Sequence, residues 1–350
     1  MTPNIPEVDE PALLTFLANL LETPSPTGYS MKAVDLAEDA FEKVGGLILS
    51  RTRKGALLVK LEGQRSDAPR VLTAHVDTLG AMVKTIKPNG RLSLTQIGGF
   101  AWNSIEGEGC TVFTQNGKEL RGSILIEVAS SHVYGAKASE TPRNDETMEV
   151  RLDEETWDAK STQDLGVSAG DFVAFDPRIE ISNGFVRSRH LDDKAGVACL
   201  LAAAQSLKEA GLKPPQTSYF LISNYEEVGH GAAAGIPAEV TELLAVDMAA
   251  VGEGQTSDEM HATLCVKDSG GPYHFEMGQR LRRLADENDI PYKVDIYPHY
   301  GSDGEAYWRA GGDVAVALIG PGVDASHNYE RTHTRALLAT TRWVLAYLLN

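Results

Sequence analysis

The chain has 350 residues, 42% hydrophobic and 23% charged, with a formal net charge of −17 at pH 7. This is the composition of a folded globular protein with room for one large core or two domains. A surface this acidic repels nucleic acid and anionic membrane, and no apolar run reaches the roughly 18 residues that a bilayer span needs.

The opening MTPNIPEVDEP lacks the basic and apolar regions of a signal peptide. Residues 10–22 and 30–43 carry apolar positions at helical spacing, and the turn TPSPTG separates them. Residues 47–61 and 69–77 read as strands, the second (PRVLTAHVD) running apolar and ending polar. From 85 to 180 the texture changes. KPNGRLSL, QIGGFAW, EGEGCTVFTQNGKELRGSILIEV and DETMEVRLD alternate and break at turn signals, which predicts a small β-rich domain closed by a strand in GVSAGDFVAFDP. Within it, 131–146 is polar and reads as a loop.

From about 185 the α/β texture returns. A helix covers Ala195–Leu207, followed by the strands TSYFLIS and ELLAVD, a helix over 279–288, the strand PYKVDIY, the short helix GEAYWRAG, the strand DVAVALIG and the closing helix TRALLATTRWVLAYLLN. Alternating strands and helices predict an α/β fold with a mainly parallel sheet covered by helices. The simplest organisation is an α/β domain of residues 1–84 and 181–350, with a β-rich domain of 85–180 inserted.

Five short islands carry the chemistry: AHVD (74–77), HLDD (190–193), NYEEVG (224–229), AVD (245–247) and SHNYE (326–330). His75 and Asp77, Glu226 and Glu227, Asp247 and His327 each fall at or beyond the carboxyl end of an expected strand. In an open parallel sheet that edge binds ligands. Taken singly, a His-x-Asp, an acidic pair before a helix or a lone Asp is an ordinary structural feature. Two histidines and three carboxylates at one edge, however, are enough to bridge and flank a pair of divalent cations, with a further carboxylate left to act as base. Oxygen and imidazole donors suit Zn, Co or Mn. The three cysteines, Cys110, Cys199 and Cys265, are far apart with no CxxC, so neither a disulfide framework nor a structural zinc site is expected, and a reducing cytoplasm fits. If the Glu226–Glu227 backbone is extended, the two side chains face opposite ways, one toward metal and one toward the attacking water. Asp77, two residues from His75, is a candidate to hold the His75 ring N–H.

As a set, TAHVDTLGAMV (73–83), GVSAGDFVAF (166–175), RHLDDKAGVACLLAA (189–203), NYEEVGHGAAAG (224–235), AVDMA (245–249), DSGGP (268–272), GSDGEA (301–306) and GVDASHNYERTH (322–333) resemble the glutamyl aminopeptidase family of dinuclear metallo-aminopeptidases, also called the TET aminopeptidase or cellulase-M family. The resemblance covers most of the chain. It implies a zinc-aminopeptidase-like α/β fold with an inserted small β-barrel or PDZ-like domain. It also implies two divalent metal ions per chain, Zn or Co with Mn as a further candidate. His75 and Asp247 would hold one ion, Glu227 and His327 the other, and Asp192 would bridge them; Asp193 would not, and their peptide bond could be cis. Glu226 would be the general base and Asp77 would orient His75. The inserted domain would serve dimerisation, with tetrahedral dodecamers as a further step, and the substrates would be peptides. Two departures stand out: GSDG at 301–304, and Thr78–Leu79 after the His-x-Asp. HVDTLGAMVK, NGFVRSRHLDDKAGVA and GVDASHNYERTH most resemble a branch associated with the osmoprotectant N-acetylglutaminylglutamine amide, so a small or N-blocked peptide is the alternative substrate. A catalytically silent assembly protein is the alternative of another class. A glycosidase would leave the two histidines unexplained.

Overall fold

The protein is described by a computed structural model, which covers residues 5–350. Its larger unit is built on a twelve-stranded sheet. Six strands run in the order Ile48–Arg51, Leu57–Leu61, Gln216–Ser223, Arg65–His75, Glu242–Val246 and Ala315–Asp324. The last four are parallel, and every residue of Gln216–Ser223 is buried, as expected of a strand covered on both faces. The periphery is mixed. Ala262–Lys267, a strand that the sequence pattern does not predict, runs against Ala315–Asp324 and pairs in parallel with Tyr292–Ile296. Beyond Asp324 the sheet continues through Glu330–His333 and Phe185–Ser188 to Glu180–Ser182. The expected α/β architecture with a mainly parallel sheet is therefore observed, with antiparallel pairings added toward its edges.

One face is covered by the helices Met31–Val44, Leu191–Glu209, Phe275–Glu287 and Thr334–Leu349. They bury Phe41, Leu200, Leu281 and Trp343 against Leu72, Phe220, Ile222 and Leu264. Glu10–Glu22, capped by Asp9 through the Ala12 amide, packs on Leu191–Glu209. The other face (Val71, Leu221, Leu243, Val316, Leu318) is covered by Tyr273, Tyr297, Ala232 and the short helix Asp303–Arg309. The cover of this second face is therefore mostly loop.

Leu191–Glu209 is apolar on all sides because it is enclosed on all sides. Gly196 lets it approach the sheet: a Cβ there would lie 2.3 Å from the Val246 carbonyl oxygen and 2.5 Å from the Asp193 carboxylate. This close approach draws the start of the helix, with Asp192 and Asp193, up to the strand that ends at Val246.

Six strands form a second unit: Gly80–Ile86, Leu92–Ile97, Met148–Leu152, Glu119–Ile126, Gly109–Phe113 and Phe172–Phe175, closed in that order into an antiparallel barrel. Glu119–Ile126 alternates between exposed and buried positions. Its inward residues join Val83, Leu94, Val112, Val150 and Val173 in a separate core. The stretch expected to be a loop, 131–146, holds two single-turn helices, Ser131–Tyr134 and Lys137–Glu140, that bury no side chain. Arg143 ties them down by donating to the carbonyls of Ala138, Ser139 and Thr141 while pairing with Glu106. Side-chain tethering of this kind leaves no periodic signal in the sequence.

Candidate metal centre

The carboxyl ends of three neighbouring parallel strands deliver most of the site. His75 is the last residue of Arg65–His75 and stands opposite Ser223 at the end of the adjoining strand. Asp247 follows Glu242–Val246 directly. Glu226 and Glu227 open a turn three residues beyond Ser223. Asp192 comes from the start of Leu191–Glu209, where Asp192 and Asp193 leave helical backbone geometry and their peptide bond is cis. His327 lies between Ala315–Asp324 and Glu330–His333. The structure brings these five expected ligand residues together as two triads, His75–Asp192–Asp247 and Asp192–Glu227–His327. In each, one donor atom per residue lies within 4.8 Å of the others.

Asp192 belongs to both triads. Its Oδ1 lies 3.1 Å from His75 Nε2 and its Oδ2 3.4 Å from His327 Nε2. Glu227 Oε2 is 3.6 Å from His327 Nε2, and Glu226 Oε2 is 3.7 Å from His75 Nε2. Asp193 faces away, accepting from the amides of His75 at 3.2 Å and Gly196 at 3.1 Å.

Both imidazoles turn Nδ1 toward a carbonyl. His75 Nδ1 lies 2.9 Å from the Asp77 oxygen, and His327 Nδ1 is bonded to the Gly99 oxygen in the barrel. A carbonyl only accepts, so Nδ1 carries the proton and Nε2 faces carboxylate oxygens with its lone pair. That approach is favourable only with a proton or a metal cation between the two. The ring orientation thus fits metal ligation, with the second nitrogen fixed by a backbone oxygen.

Two expectations are corrected in detail. Asp77 meets the His75 ring through its carbonyl; its carboxylate is 3.7 Å away. The carboxylate instead accepts from Thr27 Oγ1 at 2.6 Å and from the Glu226 and Glu227 amides at 3.1 and 3.4 Å. The Glu226–Glu227 backbone is not extended either. It is a single 3₁₀ turn, Glu226–Val228, entered through Tyr225 at φ 67° and left through Gly229 at φ 79°. The two carboxylates diverge because successive residues of a 3₁₀ turn point about 120° apart.

The electrostatics point the same way. Burial, reinforced by the charge of Asp192, pushes the Glu227 carboxyl up to about 8 and that of Asp247 to about 7. Burial and then Asp247, Asp303 and Glu227 raise Glu226 well above the usual range, although His75 opposes them. Asp192 is held low against the effect of burial by its hydrogen bonds to the two histidines. Burial would depress both imidazoles, but Asp192 and the other acids raise them, His327 to about 10. His190, beside Asp192, is pushed down to about 3 by burial and the nearby Lys194 and Arg189 charges, so it adds no positive charge. Above the cluster opens a cleft of about 490 Å³, lined on its far side by His299, Tyr300 and Arg309.

Several supporting residues were not anticipated. Asp303, buried, accepts from Ser223 Oγ at 2.6 Å and from the Ala232 amide at 2.7 Å. The Lys54 ammonium bonds the carbonyls of His230 and Gly231. With Asp77 these two residues suspend the whole Glu226–Ala232 turn. Glu330 accepts from the amides of both Asp192 and His327. Asp303 and Glu330 stand inside stretches that carry the family resemblance; Lys54 carries no signal.

These shifts predict how stability responds to pH. Carboxyls raised to about 7 and 8 keep their protons in the metal-free fold while the unfolded chain gives them up at about pH 4, so their contribution falls as pH rises from about 4 and levels off once they ionise at 7 to 8. A cation in the protons' place removes the loss. Thermal unfolding of chelator-treated protein should shift downward from about pH 5 to 8, and the gain from added zinc should widen over the same range. A gain from zinc that does not vary with pH would contradict the assignment.

The profile of the M42 glutamyl aminopeptidase family matches residues 55–342. "Putative aminopeptidase YhfE" of Bacillus subtilis (strain 168) is 48% identical over 336 residues, 96% of each chain. The glutamyl aminopeptidase of Lactococcus lactis subsp. cremoris (strain MG1363) is 25% identical over 289 residues, 79% of each. The fold is that of aminopeptidase APDkam598 from Desulfurococcus kamchatkensis (TM-score 0.86, 19% identity, covering 97% of this chain and 95% of that one). It is also that of the Pyrococcus horikoshii TET1 peptidase (TM-score 0.83, 19% identity, covering 97% and 99%), described as assembling into a tetrahedron or a large octahedral shell. The chain belongs to the M42 glutamyl aminopeptidase family, and it is a metal-dependent aminopeptidase.

Proposed function

We propose that this aminopeptidase uses two divalent cations, zinc or cobalt, held by His75 and Asp247 on one side, Glu227 and His327 on the other, and Asp192 between, and that it removes N-terminal residues from short peptides. The observation that carries the reading is that the two donor triads share Asp192, with one carboxylate oxygen toward each imidazole. When bound, such cations supply Lewis acidity that polarises a carbonyl and acidifies water. Glu226 belongs to neither triad, and its Oε2 faces His75 Nε2 at 3.7 Å. It takes the proton of the attacking water and returns it to the leaving amine nitrogen. Burial and neighbouring acids hold its carboxyl high in the metal-free protein; cations beside it would lower it toward the range in which a carboxylate accepts a proton. Asp77 acts on Glu226 through the backbone, by fixing the amides of Glu226 and Glu227.

The barrel contributes the Gly99 carbonyl to the site and carries exposed Val133 and Trp157. We assign it to self-association, as a dimer or a larger shell like that described for the Pyrococcus horikoshii peptidase. The three free, buried cysteines are compatible with a cytoplasmic setting, and no helix among the described residues is long and apolar enough to cross a membrane.

Two measurements test this reading. Glu226→Gln should bind metal as the parent does and lose about 10²- to 10⁴-fold in kcat on aminoacyl-nitroanilides and free-amine dipeptides; full turnover would remove Glu226 from the base role. Run beside them, N-acetylated dipeptides should be inert, and a preference for them would shift the substrate to a blocked peptide. Light scattering on the purified protein should give a dimer or larger, and a strict monomer would rule out the role given to the barrel.

A further inference from the structure

Glu330 opens the strand Glu330–His333 and is 2% exposed. Its two oxygens meet two different segments: Oε2 accepts from the Asp192 amide at 3.2 Å and Oε1 from the His327 amide at 3.1 Å. The charges that act on it most are those of Asp192 and His327 themselves. His327 sits at φ 63°, in the left-handed region that a residue with a side chain enters at a cost. It therefore needs a fixed partner to hold it there. The Gly99 carbonyl fixes its ring, while the Glu330 carboxylate fixes its backbone.

A planar carboxylate bonded to both amides sets the distance between two backbones that share no secondary structure. We propose that Glu330 is a positioning residue that holds the bridging Asp192 and the terminal His327 at ligand spacing, and so governs affinity for the cation held by Asp192, Glu227 and His327. This inference rests on the two-cation reading. A role confined to the fold is the competing account, and the two differ in what they do to metal. If Glu330 only supports the fold, its replacement weakens both cation positions and lowers stability. If it is a spacer, its replacement weakens the position that contains His327.

Glu330→Gln keeps the size but offers one acceptor oxygen and one NH₂ group to two N–H donors, so one of the two bonds is lost. Glu330→Asp keeps the charge but is one methylene shorter, and cannot span both amides. The test is calorimetric titration of metal-free protein with Co²⁺ alone, with His327→Ala identifying which binding step belongs to which triad. The parent should take up two ions. Both Glu330 variants should retain the His75–Asp192–Asp247 step and lose about 10- to 100-fold at the other. Glu330→Asp carries the metal test if Glu330→Gln fails to fold. Unchanged affinity at both steps, or equal weakening of both, would overturn the proposal. Fewer than two ions in the parent would overturn the two-cation reading, and this inference with it.

Discussion

Like charge packed into a buried space is the constraint on which the rest of this structure depends. Asp192, Glu226, Glu227 and Asp247 converge within a few ångströms, and the counter-charges nearest to them are two imidazoles. Asp77, Asp193, Asp303 and Glu330 stand buried behind them. In a low-dielectric setting such a cluster cannot stay ionised unaided, which is why Glu227 and Asp247 rise toward neutrality. The four outer acids play a different part: each is spent on backbone amides or hydroxyls around the cluster. The inner four and the two histidine Nε2 atoms are left facing one another. This is an energetic liability for a protein alone and an asset for one that binds cations.

The two structural units meet at this liability. The parallel strands set His75, Asp247 and the start of the Glu226 turn along one edge, while Gly196 lets the helix bearing Asp192 come close. The barrel supplies the Gly99 carbonyl to His327. Arg189, buried next to the Asp192 segment, donates to the Ser104 carbonyl, to Glu108 at 3.0 Å and to the Asn328 carbonyl at 3.3 Å. One guanidinium thus spans barrel, helix start and His327 loop, and hydrogen bonds to charged groups in such a setting are among the stronger ones. The barrel is part of the scaffold that fixes the candidate metal ligands.

Much of this was legible because parallel strands announce themselves. VLTA, YFLIS and LLAV are apolar runs that end abruptly in His, Asn or Asp, and the point where an apolar run turns polar is the sheet edge. The barrel was legible from its alternation and turns. Other features depended on hydrogen bonds between distant segments and gave no local pattern. Tyr225 at positive φ converts an expected extended pair into a 3₁₀ turn. The Asp77 carboxylate is the natural expectation for the partner of the His75 ring, because no sequence rule distinguishes a carbonyl from a carboxylate at that spacing. Lys54 reaches His230 and Gly231 from far away in the chain. Ala262–Lys267 joins the sheet antiparallel, where the βα rhythm predicts nothing.

Asp192 is proposed to bridge two cations. Anomalous diffraction at the zinc edge, from crystals of the protein grown with zinc, would locate them. Two peaks about 3.5–4 Å apart are expected, one beside His75 and Asp247, the other beside Glu227 and His327, with the Asp192 carboxylate between them. A single peak, or two peaks that do not share Asp192, would contradict it.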